Sequence, residues 1–223
     1  MSPKRSYDDP CGVARALDAV GERWALLVVC ELLHGPKRFT ALSRDLPGMS
    51  QNVLSQRLHE LEGVGVVQRR KLGPPASTPA YELSQRGYEL ESVLLALARW
   101  GSRLPMESTA ELSPDAFILA LKTTFNARAA TGLRVRVELW MGEDQYIAEV
   151  ASGRFTVVRG NLEKPDAVLE ADVATLRALV FGRRSLAEAE RAGDLRVEGD
   201  RRAAAHFVRC FPRPTITRHN DGH

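Results

Sequence analysis

A chain of 223 residues that is 44% hydrophobic and 26% charged can bury two cores of about 100 residues each, and this globular composition excludes a disordered or low-complexity chain. Its net charge of +3 is unevenly spread: residues 1–104 hold 14 Lys and Arg against 11 Asp and Glu, whereas residues 105–223 hold 17 of each. No uncharged apolar run approaches the roughly 20 residues of a membrane span, and the start MSPKRSYDDP lacks a secretory apolar core, so a cytoplasmic protein without membrane insertion is expected.

Asp8, Asp9 and Pro10 are start signals for a helix beginning near Cys11, with Val13, Leu17 and Val20 as its apolar face. After Gly21, the run Trp24 to Leu33 predicts a helix apolar nearly all round, the buried centre of a first domain. Phe39, Leu42 and Leu46 then mark a short helix, and Leu54, Leu58 and Leu61 mark another at spacings of four and three. Pro47-Gly48-Met49-Ser50 separates them and offers Ser50 as N-cap of the second. Two short helices joined by a tight turn read as a helix-turn-helix.

The outer face of the second helix carries Gln51, Asn52, Ser55, Gln56 and His59. Gln and Asn can pair with an adenine edge, and Ser or His can reach bases or phosphates, so these five are the expected base contacts. A polar helix face is also what any solvated helix shows, and the basic flanks tip the balance. From Gly35 to Lys71 the cations Lys37, Arg38, Arg44, Arg57, Arg69, Arg70 and Lys71 face only Asp45, Glu60 and Glu62, an excess of about +4. With Ser50, these seven are the expected phosphate contacts, and alanine at Arg57 is expected to weaken DNA binding.

Val66 to Lys71 and Ala80 to Leu83 predict a β-hairpin with a Pro-rich tip at Gly73 to Pro79, the wing of a winged helix. Ser84 is expected to cap one long helix through about Arg103, with Leu90, Val93, Leu94, Leu97 and Trp100 on one face. That much apolar surface suggests a helix partner from a second subunit.

Cys11, Gly21-Glu22-Arg23-Trp24, Gly35-Pro36-Lys37-Arg38-Phe39, Leu46-Pro47-Gly48-Met49-Ser50, Leu54-Ser55-Gln56-Arg57-Leu58, Glu60-Leu61-Glu62, Tyr81-Glu82-Leu83-Ser84, Gly87 and Trp100-Gly101 stand in order over residues 10–102. In this the chain resembles the HxlR family of bacterial winged helix-turn-helix regulators. The resemblance implies a homodimeric transcriptional regulator that binds an inverted repeat in double-stranded DNA, with the terminal helices of this domain forming the dimer. It departs in the wing, where Pro74 to Ala80 leave few side chains to reach a minor groove. Some family members sense electrophiles or oxidants through a cysteine near the first helix, and Cys11 resembles that position. A helix N-terminus favours its thiolate and Asp8 and Asp9 oppose it, so a redox role and a quiet packing role both stand.

After the polar linker Pro105 to Leu112, Ser113-Pro114-Asp115 opens a helix with Phe117, Leu121 and Phe125 on one face. Strict alternation from Leu133 to Leu139, then turns at Gly142-Glu143-Asp144 and Ser152-Gly153 leading into Gln145 to Val150 and Arg154 to Arg159, predict an antiparallel meander, with Asp166 to Ala171 a fourth strand. Helices follow at about Val173 to Phe181, Ser185 to Ala192 and Arg201 to Phe211, with a short strand Leu195 to Val197 before the last. The expected architecture is α+β: residues 1–104 a winged helix-turn-helix domain for DNA binding and dimerisation, residues 113–211 an α+β domain with a mainly antiparallel sheet, and 212–223 a flexible tail.

Leu179 through Gly182, the Gly-Asp repeats between Ala192 and Asp200, and Phe207 and Phe211 resemble the sterol-carrier-protein type of lipid-binding fold. That resemblance implies an apolar tunnel between sheet and helices, which Phe117, Leu121, Phe125, Trp140, Leu179, Phe181 and Phe207 would line for an apolar small-molecule or lipid effector. The same spacings are what any core shows.

The reading is a dimeric, sequence-specific DNA-binding transcriptional regulator, a repressor rather than an activator, without a cofactor. Its rival is a lipid-binding or carrier protein in which the winged helix serves association. An enzyme has no support, since GxSxG, P-loop and GxGxxG are absent, and Cys11, Cys30 and Cys210 with five scattered histidines offer no metal-ligand spacing.

Overall fold

The computed structural model describes residues 6–71, 78–105 and 110–213. The chain forms two compact units, residues 1–94 and 95–223, divided within a helix.

Unit 1 begins with α1 (Gly12–Val20), α2 (Ala25–Leu32), α3 (Phe39–Asp45) and α4 (Gln51–Gly63). The start of α4 is local chemistry: Ser50 Oγ accepts from the Val53 N–H, and Gly48 takes φ 90° in the turn before it. Leu42, Leu54, Leu58 and Leu61 pack with Val28, Val29 and Leu32 of α2, all buried. Removing this apolar surface from water is what holds three short helices, none stable alone. Trp24 enters α2 with φ 77°, a left-handed geometry rare for a tryptophan. Its ring stands 3.8 Å from where a Cβ on Gly48 would lie, so the residue before α2 packs under the helix-turn-helix turn.

The hairpin follows as β1 (Val67–Lys71) and β2 (Pro79–Leu83), antiparallel with Arg69 opposite Tyr81. The tip lies outside the described residues, apart from Thr78 and Pro79. A third edge closes this sheet: Lys37 and Tyr81 exchange backbone hydrogen bonds of 2.9 and 2.8 Å.

One long helix was expected after Ser84, and two are found, α5 (Gln85–Tyr88) and α6 (Leu90–Gly101), interrupted at Glu89. Ser84 Oγ accepts from Gly87 N and donates to Gly65 O, pinning α5 to the turn after α4. Gly87 sits so close to Val66 that a Cβ would lie 2.2 Å from its carbonyl oxygen. On α6 only Leu94 is buried, while Val93, Leu97 and Trp100 are 50, 47 and 63% exposed. Val13 and Leu17 of α1 are likewise exposed, and Val20 faces the core.

Unit 2 contains α7 (Pro114–Thr124), β3 (Val135–Met141), β4 (Asp144–Ala151), β5 (Arg154–Arg159), β6 (Ala167–Ala171), α8 (Val173–Val180), α9 (Leu186–Arg191), β7 (Leu195–Gly199) and α10 (Arg201–Arg209). The sheet order is β5-β4-β3-β6-β7, antiparallel except where β6 lies parallel to β3 with Val137 opposite Ala167. Side chains on one face, Val135, Val137 and Leu139 with Tyr146, Ala148 and Val150, form the core with Phe117, Leu121, Leu176 and Phe207. The fold is therefore the expected α+β arrangement with a mainly antiparallel sheet.

Alternation along β3 places Glu138 on the outer face, yet it is 2% exposed. The chain from β5 at the sheet edge must pass two strands to reach β6, and Glu138 anchors that passage. Its carboxylate accepts from Leu162 N and, at 2.6 Å, from Trp140 Nε1. Asp115, expected only as an acidic first-turn residue of α7, is fully buried. It accepts 2.9 and 2.8 Å hydrogen bonds from Tyr146 Oη and Arg159 Nη2, and Arg159 also pairs with Asp144. Burial first, and then the neighbouring Asp115 charge, push the Tyr146 phenol far above its ordinary range, so it stays a donor.

Candidate nucleic-acid interface

The α4 helix separates its residues by face. Leu54, Leu58 and Leu61 are buried, and Gln51, Asn52, Ser55, Gln56 and His59 are all exposed. Gln56 donates from Nε2 to Glu60 Oε1 at 3.0 Å along its own helix. Gln51 and Asn52 occupy the first turn, the end of a recognition helix that reaches base edges.

The eight expected phosphate contacts fall into three groups. Lys37 is 6% exposed, with Nζ 2.7 Å from Glu31 and 2.6 Å from Asp45, both nearly buried. Its charge is consumed inside the unit, because the backbone pairing with Tyr81 draws it under the sheet. Arg57 is also enclosed, with Nη1 2.6 Å from Glu60 and 3.4 Å from Glu22. Neither side chain is placed to meet a phosphate, which corrects the expectation for both.

Arg44, Arg69 and Arg70 are exposed but each holds a carboxylate, Asp45, Glu62 and Glu82 respectively. Arg70 beside it holds the Glu82 carboxyl below the usual range, and Glu62 raises Arg69. In each pair the guanidinium is the exposed member, so it can also face a phosphate. Arg38 before α3 and Lys71 at the end of β1 are exposed, with no carboxylate partner among the described residues. Ser50 is exposed and caps α4. The exposed groups that can face a phosphate backbone are thus Arg38, Ser50 and Lys71, with the paired but exposed Arg44, Arg69 and Arg70.

Cys11 is the N-cap of α1 and is exposed. The backbone N–H groups of Val13 and Ala14 in the first turn of α1 lower its thiol pKa, with desolvation opposing. Cys30 and Cys210 are buried, and burial pushes the Cys210 thiol up. Among the described residues no group of three or more His, Cys, Asp or Glu could hold a metal ion.

Six of the seven residues expected to line a tunnel belong to the core or pack on it. Phe117, Leu121, Leu179 and Phe207 belong to the buried core, and Phe125 and Phe181 pack on it. Phe117 meets Phe181 edge-on at 6.2 Å, and Phe125 stacks on Phe155 at 5.6 Å. Trp140 lies outside that core, on the outer face with Glu138. Two open concavities of about 650 and 350 Å³ lie elsewhere in the unit, and none of the seven lines them.

Among the described residues no helix is long and apolar enough to cross a membrane. Residues 19–109 match the HxlR-like helix-turn-helix family, and residues 104–217 match the alkyl sulfatase C-terminal family, a match compatible with a lipid-binding type of fold. The HTH-type transcriptional regulator YtcD of Bacillus subtilis (strain 168) is 36% identical over 99 residues, covering 44% of this chain and 77% of that protein. YvaP of the same organism, also named an HTH-type transcriptional regulator, is 36% identical over 88 residues, 40% of this chain and 82% of its own. The solved structure of the sec-alkylsulfatase Pisa1 from Pseudomonas sp. is 19% identical with a TM-score of 0.43, covering 45% of this chain and 16% of that chain. The match of residues 19–109 and relatives covered over more than three quarters of their length place this chain in the HxlR-like helix-turn-helix family of transcriptional regulators.

Proposed function

We propose that this protein is a dimeric transcriptional repressor that binds an inverted repeat through α4, in the cytoplasm and without enzymatic activity of its own. The observation that carries the reading is the division of α4: three leucines lock it into the core while Gln51, Asn52, Ser55, Gln56 and His59 stand exposed beside Arg38 and the basic β1 strand. Dimerisation is supported by the exposed Val13 and Leu17 on α1 and by Val93, Leu97 and Trp100 on α6, large apolar side chains of the kind a subunit interface covers. Two such subunits set two copies of α4 about one turn of DNA apart.

Within this reading Cys11, exposed and activated by two backbone donors, is the thiol at which an electrophile or oxidant acts. Unit 2 is the effector module, responding to an apolar small molecule, and a change in its state alters the spacing of the two α4 helices. The experiment is a fluorescence-anisotropy titration of the full chain against its own upstream DNA and a scrambled duplex over a salt series. Tight binding to the first with a steep salt slope supports the regulator. Equal, weak binding to several upstream duplexes and to the scramble overturns it in favour of a lipid carrier, for which copurified lipid is the positive sign.

A further inference from the structure

The cations counted from sequence begin at Lys37, but the structure brings an earlier segment against the helix-turn-helix. This segment is the junction between α1 and α2, Gly21 to Trp24. Two of its residues touch the motif. Glu22 Oε2 lies 3.4 Å from Arg57 Nη1 of α4. The Trp24 ring edge stands 3.8 Å from where a Cβ on Gly48 would lie, in the turn between α3 and α4 and two residues before the N-cap Ser50. Backbone at φ 77° is unfavourable for so bulky a residue, so packing of the ring, and not local preference, holds Trp24 in this seat.

Arg23 stands between these two contacts and is exposed. Its guanidinium carbon lies 5.4 Å from the centroid of the Trp24 ring, within the range of a cation–π contact. The side chain therefore rests on an indole that is itself seated at the turn leading into α4. Carboxylates near it in sequence are engaged elsewhere: Glu22 faces Arg57, and Asp18 accepts from Ser6 Oγ and Tyr7 N. Among the described residues Arg23 takes part in no ion pair. The other two arginines found over aromatic rings differ in this respect, since Arg69 over Tyr81 holds Glu62, and Arg159 over Tyr146 holds Asp115 and Asp144. A carboxylate occupies the N–H groups of a guanidinium, whereas a ring beneath it leaves them available.

We infer that Arg23 is a phosphate contact of the DNA-binding surface, positioned by the Trp24 ring beside the turn that leads into α4. The inference rests on the reading of α4 as the recognition helix. A guanidinium meets phosphate oxygens with charge-assisted hydrogen bonds, and contacts to the phosphate backbone near a recognition helix fix its register on the duplex. In this arrangement Glu22 and Trp24 tie the junction to the motif, and Arg23 carries the charge.

The test is fluorescence anisotropy of the full chain with its own upstream duplex over a salt series, comparing Arg23→Gln, Arg23→Lys and Arg15→Gln. Arg15 is an exposed arginine of α1, and its variant removes the same charge from elsewhere in the unit. Arg23→Gln should flatten the slope of log affinity against log salt by about 0.9 and weaken binding about 10-fold at low salt. Its urea midpoint should not move, because the side chain is exposed. Arg23→Lys keeps the charge and should restore the slope, and Arg15→Gln should leave it unchanged. A wild-type slope in Arg23→Gln overturns the contact while the regulator reading stands. Equal flattening by Arg15→Gln also overturns it, in favour of a diffuse effect of net charge. Equal, weak binding of the unaltered protein to upstream and scrambled duplexes removes the regulator reading, and this contact falls with it.

Discussion

Alanine at Arg57 separates a phosphate contact from an internal brace. In the structure Arg57 is 8% exposed, and its charge faces Glu60 and Glu22, which are 38 and 63% exposed. Removing the side chain takes two buried methylenes from the core, about 1.6 kcal/mol at ~0.8 kcal/mol each. The ion pair adds about 0.5 kcal/mol, because its carboxylates are largely hydrated and rehydrate when the arginine leaves. Releasing a long ordered side chain returns about 1 kcal/mol. The net loss is about 1 kcal/mol, so the variant folds, with its urea midpoint lowered by ~0.7 M at an m-value of ~1.5 kcal/mol/M. The second measurement is the slope of log affinity for DNA against log salt. A residue that releases no counterion leaves that slope unchanged, whereas a phosphate contact is worth about 0.9 in it. Arg38→Ala and Lys71→Ala should each flatten the slope by about that amount without changing stability. Should Arg57→Ala flatten the slope by ~0.9 with an unchanged urea midpoint, the internal-brace reasoning is refuted.

Glu138→Gln keeps shape and removes charge, but its amide can accept from only one of Trp140 Nε1 and Leu162 N and turns a donor toward the other. A buried unsatisfied donor costs about 1–3 kcal/mol, so urea unfolding followed by tryptophan fluorescence should show a loss of ~2 kcal/mol; no loss would mean that the 160–166 passage is not anchored there. Cys11 should react with iodoacetamide before the buried Cys30 and Cys210, and because its pKa is lowered its rate should reach half-maximum at a pH below that of an ordinary thiol. A pH-rate curve centred at or above the ordinary thiol value would remove its activation. Leu97→Glu with Trp100→Glu places charge on an exposed apolar face, so stability should change little while sedimentation equilibrium shows monomers and DNA affinity falls at least 10-fold; a dimer that persists would move the interface elsewhere.

Much of this molecule is local in origin. Ser50, Ser113 and Ser185 announce α4, α7 and α9 because a short oxygen-bearing side chain can bond the orphan N–H groups of a first turn, and each does so here. Leucines at spacings of three and four specify the buried face of α4, and strict alternation specifies β3, since helix and strand periodicities follow from backbone geometry alone. Exposure of Gln51, Asn52, Ser55, Gln56 and His59 was legible for the same reason. Which charges cancel was not. Lys37 is drawn under the sheet by pairing with Tyr81, 44 positions away, and Arg57 meets Glu22 across the fold, so the same cations that make the stretch basic on paper are internal ties in space. Glu138 and Asp115 carry polar side chains at positions that sequence assigns to solvent. A crossing loop buries the first, and Tyr146 and Arg159 enclose the second. The loop after α7 lies beside the end of α10 because Asn126 N donates to Cys210 O, 84 positions away. Periodicity and capping are decided by near neighbours along the chain. Charge pairing and concave surfaces are decided by residues that only the folded backbone brings within reach.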